Sequence, residues 1–359
     1  MEIIFNLHKI KYKKLDEIIT NGCKEINPSS KVNLFINLDN IFIRLADANL
    51  ESRLQLTEER KCFELISNII NLAAHYRKFF SNNGIYSRVY LYSSYPFNAT
   101  YRNFQYNQEY RSFYNNKFTK NPSNFLLYKT INDNFSICKL FLEYVEGVYL
   151  VQSDNIENSV VPLIISESLK DNYLNFLLTD DIYEYQYVNK GFYILKPRQD
   201  ESVLINKENL WDIISKGELK NCKLNLGVYP FILSVLGDKR RSLEKVRGLG
   251  LKTTTKAIQT AVDKNIISSD ANNIAILIRL IKEEYVDLVL SNYSCTNIDV
   301  QYRQLNTASI MYITNQLVDK FDNMGLQQIN NDYFKEHPIN LMEITDATKL
   351  LKSNKRIIF

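Results

Sequence analysis

The sequence predicts an α/β fold, with a mostly parallel central sheet flanked by helices and followed by a helical C-terminal extension. Strand and helix patterns alternate up to about residue 200, as they do in parallel α/β domains. Mostly helical patterns fill the last third of the chain. The 359 residues are 45% hydrophobic, which is enough to bury one large core or a core with a smaller lobe.

The first two elements follow from contrasting periodicities. A buried strand is predicted at 31–38, where valine, leucine, isoleucine and phenylalanine form a short apolar run. A long helix is predicted over 57–80, because Leu65, Ile69 and Leu72 fall at helical spacing.

The same two periodicities predict the later elements, which are strands at 87–94 and 172–179 and helices at 155–169, 207–216 and 226–236. Between them, alternating tyrosines flank an Asn-Lys-Gly sequence within residues 183–196. This pattern predicts a hairpin of two short strands.

Charge and cysteine content narrow the classes of function. The net charge is +4 and the isoelectric point is near 8.5, which permits a nucleic-acid partner without requiring one. The cysteines form no Cys-x-x-Cys pair and the histidines are far apart, so neither a zinc site nor a disulfide framework is predicted. The sequence has neither a signal-peptide pattern nor an apolar run of about 20 residues. We therefore expect a soluble, cytoplasmic protein that is not secreted and has no membrane partner.

A glycine turn at 246–254, VRGLGLKTT, is the strongest binding signal. Gly248 and Gly250 permit a tight turn that exposes amides toward a phosphate, and Lys252 and Thr253 open the next helix. Basic residues surround the turn: Lys239, Arg240, Arg241, Lys245, Arg247, Lys252 and Lys256. A Gly-x-Gly alone often marks only a tight turn, and a charge run often marks a solvated helix face. Their combination favours a patch that binds nucleic-acid phosphates.

A second segment, 101–118, interleaves aromatic residues with Arg102, Arg111 and Lys117. Aromatic side chains stack on bases and basic ones contact phosphates, as in single-strand binding. The same tyrosines and phenylalanines are equally suited to packing on a core. Both interpretations stay open at this point.

The stretch 235–265 resembles the helix–three-turn–helix of the flap endonuclease and 5′–3′ exonuclease superfamily, which includes bacteriophage members. The matches in one register are Gly237, Asp238, Val246, Gly248, Leu249, Gly250, Lys252 and Thr253. Weaker matches precede them in the family's order, at Arg44, Pro96, Glu157, Asp181, Gln186 and Val188. The resemblance implies a PIN-type nuclease core over 1–225, with an arch-like insertion near 100–145. It also implies a helical region over 226–359 that holds duplex DNA through the glycine turn.

The resemblance further implies a cluster of carboxylates that binds two divalent ions, Mg²⁺ or Mn²⁺. Acids remain at three of the family's positions: Glu157, Asp181 and Asp238. The other positions hold Asn37, Ser93, Ser159, Val160, Tyr183 and Arg241, with Asp39 in place of Asn37 in another register. An arginine beside a metal position repels the cation or pairs with a remaining acid. Four further acids lie close to the motif positions: Asp39, Asp154, Asp180 and Glu184.

These observations lead to one expectation and two alternatives. We expect a viral protein that binds branched or duplex DNA in preference to RNA, with a catalytically degenerate 5′-nuclease site. Mg²⁺ or Mn²⁺ is expected only if the residual acids still function. One alternative is an active, Mg²⁺-dependent 5′–3′ exonuclease or flap endonuclease. The other is a non-catalytic subunit of a viral replication, transcription or virion assembly, with other viral proteins as partners in the host cytoplasm.

Overall fold

A computed structural model of the chain describes residues 31–38, 58–82, 84–93, 136–153, 156–196, 203–217, 222, 224–238, 243–268, 273–317, 322–342 and 344. No helix within these ranges is long and apolar enough to cross a lipid bilayer.

A six-stranded sheet forms the centre of the fold. Its strands are β1 (Lys31–Asn37), β2 (Tyr86–Ser93), β3 (Val148–Gln152), β4 (Leu174–Leu178), β5 (Tyr193–Lys196) and β6 (Val203–Ile205). They lie in the order β3-β2-β1-β4-β5-β6, and all pairs are parallel except β5 with β6. The strand order reverses direction between β1 and β4. In parallel sheets, ligands bind outside the carboxyl ends of the strands at such a reversal.

Helices cover both faces of the sheet and make up most of the C-terminal part. They are α1 (Glu58–Asn82), α2 (136–143), α3 (Val161–Leu169), α4 (Leu210–Ile214), α5 (Tyr229–Leu236), α6 (Leu251–Asp263), α7 (Ile274–Leu277), α8 (Val286–Thr296), α9 (Ile298–Arg303), α10 (Thr307–Thr314) and α11 (Asn323–Tyr333). Short 3₁₀ helices include Asn158–Val160, Glu184–Lys190 and Leu226–Val228. The predicted α/β class and the helical C-terminal extension are confirmed.

Two apolar cores lie on opposite faces of the sheet. The pleat of β1 directs Leu34 and Ile36 to the first core, with α1, α2 and α11, and directs Phe35 to the second core, with α3, α5, α6 and α8. The chain crosses from the second core to the first after α10. At that crossing, the Gln316 side chain donates to and accepts from the backbone of Gln152 in β3, at 2.9 Å each.

The predicted hairpin over 183–196 is wrong. Glu184–Lys190 form a 3₁₀ helix, and β5 runs parallel to β4. The alternation of tyrosine with polar residues suggested a strand with one face in solvent. Glu184 and Gln186 are nevertheless buried like the tyrosines beside them, and both are hydrogen-bonded to distant segments.

Candidate functional site

Five buried polar side chains form a hydrogen-bonded network at the carboxyl edge of the sheet. The Nδ2 of Asn37 donates to Glu184 Oε1 at 3.0 Å, and its Oδ1 accepts from Asn158 Nδ2 at 3.1 Å. The hydroxyl of Ser153 donates to Asn158 Oδ1 at 3.2 Å. The Tyr92 hydroxyl donates to the same Glu184 oxygen at 2.9 Å. We refer to these five residues as the polar network.

The polar network joins the segments that meet where the strand order reverses. Asn37 ends β1, Tyr92 lies one residue before the end of β2, and Ser153 follows β3 directly. Asn158 and Glu184 begin the 3₁₀ helices that follow β3 and β4. All five side chains are at least nine-tenths buried. The network therefore occupies the place where a sheet of this kind gathers functional groups.

Glu184 is the titratable centre of the network. Its burial raises its pKa to about 8, and the nearby carboxylate of Asp181 acts in the same direction. Hydrogen bonds from Thr179, Tyr92 and Asn37 oppose this shift. Burial thus favours the protonated, uncharged form of Glu184 within the polar network.

Buried tyrosines connect the segments around the polar network through hydrogen bonds to the backbone. The Tyr187 hydroxyl donates to the carbonyl of Ser159 at 2.7 Å and accepts from the amide of Leu163 at 3.0 Å. The Tyr229 hydroxyl donates to the carbonyl of Ile182 at 2.9 Å. Burial raises the pKa of both phenols well above the ordinary value, so they act as neutral hydrogen-bonding groups.

The three predicted acids are not brought together as a metal centre. Glu157 is buried at the start of the 3₁₀ helix before α3. Asp181 is half-buried, and its Oδ1 accepts from the amide of Tyr183 at 3.0 Å. The backbone of Asp238 pairs with that of Leu243 through two bonds of 2.9 Å. Within the described ranges, no three His, Cys, Asp or Glu side chains form a group able to hold a metal ion.

The positions with replaced acids also lie inside the fold. Four of them are buried side chains: Ser93, Ser159, Val160 and Tyr183. Asp39 and Arg241 lie outside the described residues, as do Arg44, Pro96 and Asp154.

The glycine turn is exposed and ends at the N-terminus of α6. Gly248 has a φ of 77°, in the left-handed region that favours glycine. Gly250 is extended and occupies the N-cap, with no described side chain capping the helix. A Cβ atom at either glycine would meet nothing within 4 Å. The amide end of α6, where anions are stabilised, is therefore accessible.

Exposed side chains accompany this turn on both sides, namely Lys245, Arg247, Lys252, Thr253 and Lys256. The other predicted nucleic-acid contacts, Lys239, Arg240, Arg102 and Arg111, lie outside the described residues. The same holds for the aromatic segment 101–118.

The entry to this loop depends on a glycine. Gly237 follows α5 with a φ of 57°, and a Cβ atom there would lie 2.5 Å from the carbonyl oxygen of Glu244. Because the obstacle is backbone, no side-chain movement would relieve the clash. The amide of Val246 then donates to the carbonyl of Val235 at 3.0 Å, which returns the chain along the end of α5.

Solved structures of bacteriophage T5 share this architecture. One is the 5′-exonuclease with bound zinc, at 12% identity and a TM-score of 0.51, which covers 85% of this chain and 98% of that one. Another is the flap endonuclease in a pseudo-enzyme–product complex with DNA and metal ions, at 12% identity, the same coverage and a TM-score of 0.52. The chain has a flap endonuclease-like, 5′–3′ exonuclease-like fold. No family model and no curated protein matches the sequence.

Comparison with the family's motifs located the site but did not identify the polar network. Tyr92 and Asn158 each adjoin an acid position of the family's motifs, at Ser93 and Glu157, yet neither stands at an acid position itself. Ser153 had no signal beyond its place after an apolar run. The available clue was the neutral residue at the end of β1, Asn37, which needs partners when buried.

Proposed function

We propose that this chain binds nucleic acid, DNA in preference to RNA, through a nuclease-like fold whose metal site has been replaced by the polar network. The observation that carries the proposal is the bonding of Asn37. Both polar atoms of its amide are engaged by Glu184 and Asn158, at the end of the central strand.

A two-metal nuclease centre needs several ionised carboxylates and two cations about 4 Å apart. The residues present do not fit this requirement. Asp181 lies near Glu184, but Glu184 is hydrogen-bonded to the amide of Asn37 and the hydroxyl of Tyr92, and within the described ranges no three His, Cys, Asp or Glu side chains form a group able to hold a metal ion. A divalent cation would also have to displace the hydrogen bonds from Asn37 and Tyr92. We therefore infer no metal-dependent step.

The nucleic-acid contact in this proposal is the glycine turn. The exposed amide end of α6 and the Lys252 ammonium suit phosphate oxygens, and Lys245 and Arg247 add positive charge beside them. Such contacts bind the backbone of a duplex without reading its sequence. The structure of the T5 flap endonuclease in complex with DNA supports DNA as the partner. The likeness to bacteriophage proteins likewise supports a viral origin and a host-cytoplasm location.

The test is fluorescence anisotropy with a labelled flap duplex and a matched plain duplex, in EDTA and at two salt concentrations. We expect binding in EDTA that weakens with salt, and weaker binding for Lys252→Glu than for a matched charge reversal at the exposed Lys216, on the loop after α4. Incubation with Mn²⁺ should leave the flap substrate intact. Cleavage that Asp181→Ala abolishes would instead support an active nuclease, and absence of binding would favour a protein-contact subunit.

A further inference from the structure

Asn292, on α8, fastens the loop that leads into the glycine turn. Its Nδ2 donates to the carbonyl of Ser234 at 2.8 Å and to the carbonyl of Glu244 at 2.7 Å. Ser234 lies in α5, whereas Glu244 lies in the loop between α5 and α6. Asn292 is 3% exposed. One buried amide thus connects three segments.

The side-chain amide of Asn292 donates its two hydrogens to two carbonyl oxygens, those of Ser234 and Glu244, which are 10 residues apart in the sequence. Carbonyls in the last turn of a helix lack partners within the helix, and Ser234 is in the last turn of α5. The loop carbonyl of Glu244 likewise needs a donor. Asn292 satisfies both, and its helix packs against α5.

The two hydrogen bonds of Asn292, which we call the Asn292 clamp, lie directly before the glycine turn in the chain. Upstream, the backbone of Asp238 pairs with that of Leu243. Downstream, Glu244 is only four residues from Gly248. Holding the Glu244 carbonyl therefore fixes where the glycine turn starts relative to α5 and α8.

We infer that Asn292 is a positioning residue for the nucleic-acid contact, and this inference rests on the proposed function. It touches no ligand itself. It holds the glycine turn in one orientation relative to α5 and α8, so that the amides and the basic side chains of the turn meet the phosphate backbone together. Without these two hydrogen bonds the residues of the glycine turn are unchanged, but the position of the turn varies. Nucleic-acid binding is then weaker, because ordering the loop on binding costs more free energy.

The matched variants are Asn292→Asp, Asn292→Ser and Gln301→Ala. Aspartate keeps the shape of Asn292 but turns a second oxygen toward two carbonyls. Serine removes the clamp with less repulsion, in case the aspartate variant does not fold. Gln301 is a buried amide on α9 that donates to the carbonyl of Cys295, at the C-terminal end of α8, rather than to a carbonyl of the loop, so its loss controls for general destabilisation of the same helix.

The experiment measures DNA affinity in EDTA by anisotropy, and exchange of the Leu243 and Val246 amides by hydrogen–deuterium exchange. For Asn292→Asp we expect about tenfold weaker binding, faster exchange of these two amides, and unchanged exchange in β1. Asn292→Ser should show the same effects to a smaller extent. Gln301→Ala should lower the melting temperature without changing the affinity.

Wild-type affinity in both Asn292 variants, or an equal loss of affinity in Gln301→Ala, would overturn the positioning role. Failure of the wild-type protein to bind any DNA would refute the proposed function itself. The two failures are therefore distinguishable.

Discussion

Replacing Glu184 by glutamine tests whether the polar network is held by a protonated carboxyl group. The folded protein raises the pKa of Glu184 from 4.5 to about 8, chiefly through burial. Between these values the folded state retains a proton that the unfolded chain releases. This group's contribution to stability is therefore fully present below pH 4.5 and is lost as the pH rises toward 8.

The magnitude follows from linkage. Each pH unit within this window removes at most about 1.4 kcal/mol from the free energy of unfolding. Between pH 5 and pH 7 the wild-type protein should therefore lose up to about 3 kcal/mol through Glu184. Glu184→Gln keeps the size of the side chain and carries no charge at any pH, so this loss should disappear.

The assay is urea unfolding of wild type, Glu184→Gln and Glu167→Gln at pH 5, 6 and 7. Glu167 is exposed on α3 and controls for removal of a carboxyl group. Subtracting the free energy of unfolding of Glu184→Gln from that of the wild type at each pH cancels the contributions of all other titrating groups. Parallel pH profiles for these two proteins would refute the reasoning. A Mg²⁺-dependent stabilisation of the wild type that Glu184→Gln abolishes would show a metal ligand instead.

Three further outcomes are expected. Gly237→Ala should lower the free energy of unfolding by about 1 to 3 kcal/mol in a thermal unfolding assay, because the backbone conformation at Gly237 suits glycine and the added Cβ would clash with the Glu244 carbonyl. The control is Gly250→Ala, whose Cβ would meet no atom within 4 Å. It should cost less than about 1 kcal/mol in the same assay. Tyr187→Phe should cost about 1 to 3 kcal/mol, since a buried hydroxyl with two backbone partners is lost, and equal urea midpoints would contradict this. Lys252→Glu should reduce the salt dependence of DNA binding without changing the melting temperature, and an unchanged slope of affinity against salt would remove Lys252 from the contact.

Local patterns in the sequence sufficed for β1, β2 and β4 and for α1 and α3 to α6. The apolar run at 31–38 and the spacing of Leu65, Ile69 and Leu72 predicted β1 and α1, because burial of these side chains determines both elements. The same reasoning failed for the segment that begins at Glu184. Its alternation indicated a strand, but a polar side chain that finds a buried partner no longer marks a solvent face.

The site was predictable as a position but not as a set of contacts. Asn37 was located from the resemblance, as the residue at the first acid position of the family's motifs. Its partners Asn158 and Glu184 lie 121 and 147 residues away in sequence, and strand order alone brings them together. The glycine turn was predictable because it is local. Asn292 was not, because it reaches the turn from a helix without any motif.

The hydrogen bonds between Gln316 and the edge strand β3 have a consequence for folding during synthesis on the ribosome. Gln316 follows Gln152 by 164 residues, so the ribosome completes β3 long before this partner exists. At about 5 to 20 residues per second, the delay is roughly 8 to 30 seconds. Unpaired backbone at a sheet edge recruits strands from other chains. In that interval the backbone of Gln152 lacks the partner that it has in the folded protein, so slower translation of the last helices should lower the soluble yield.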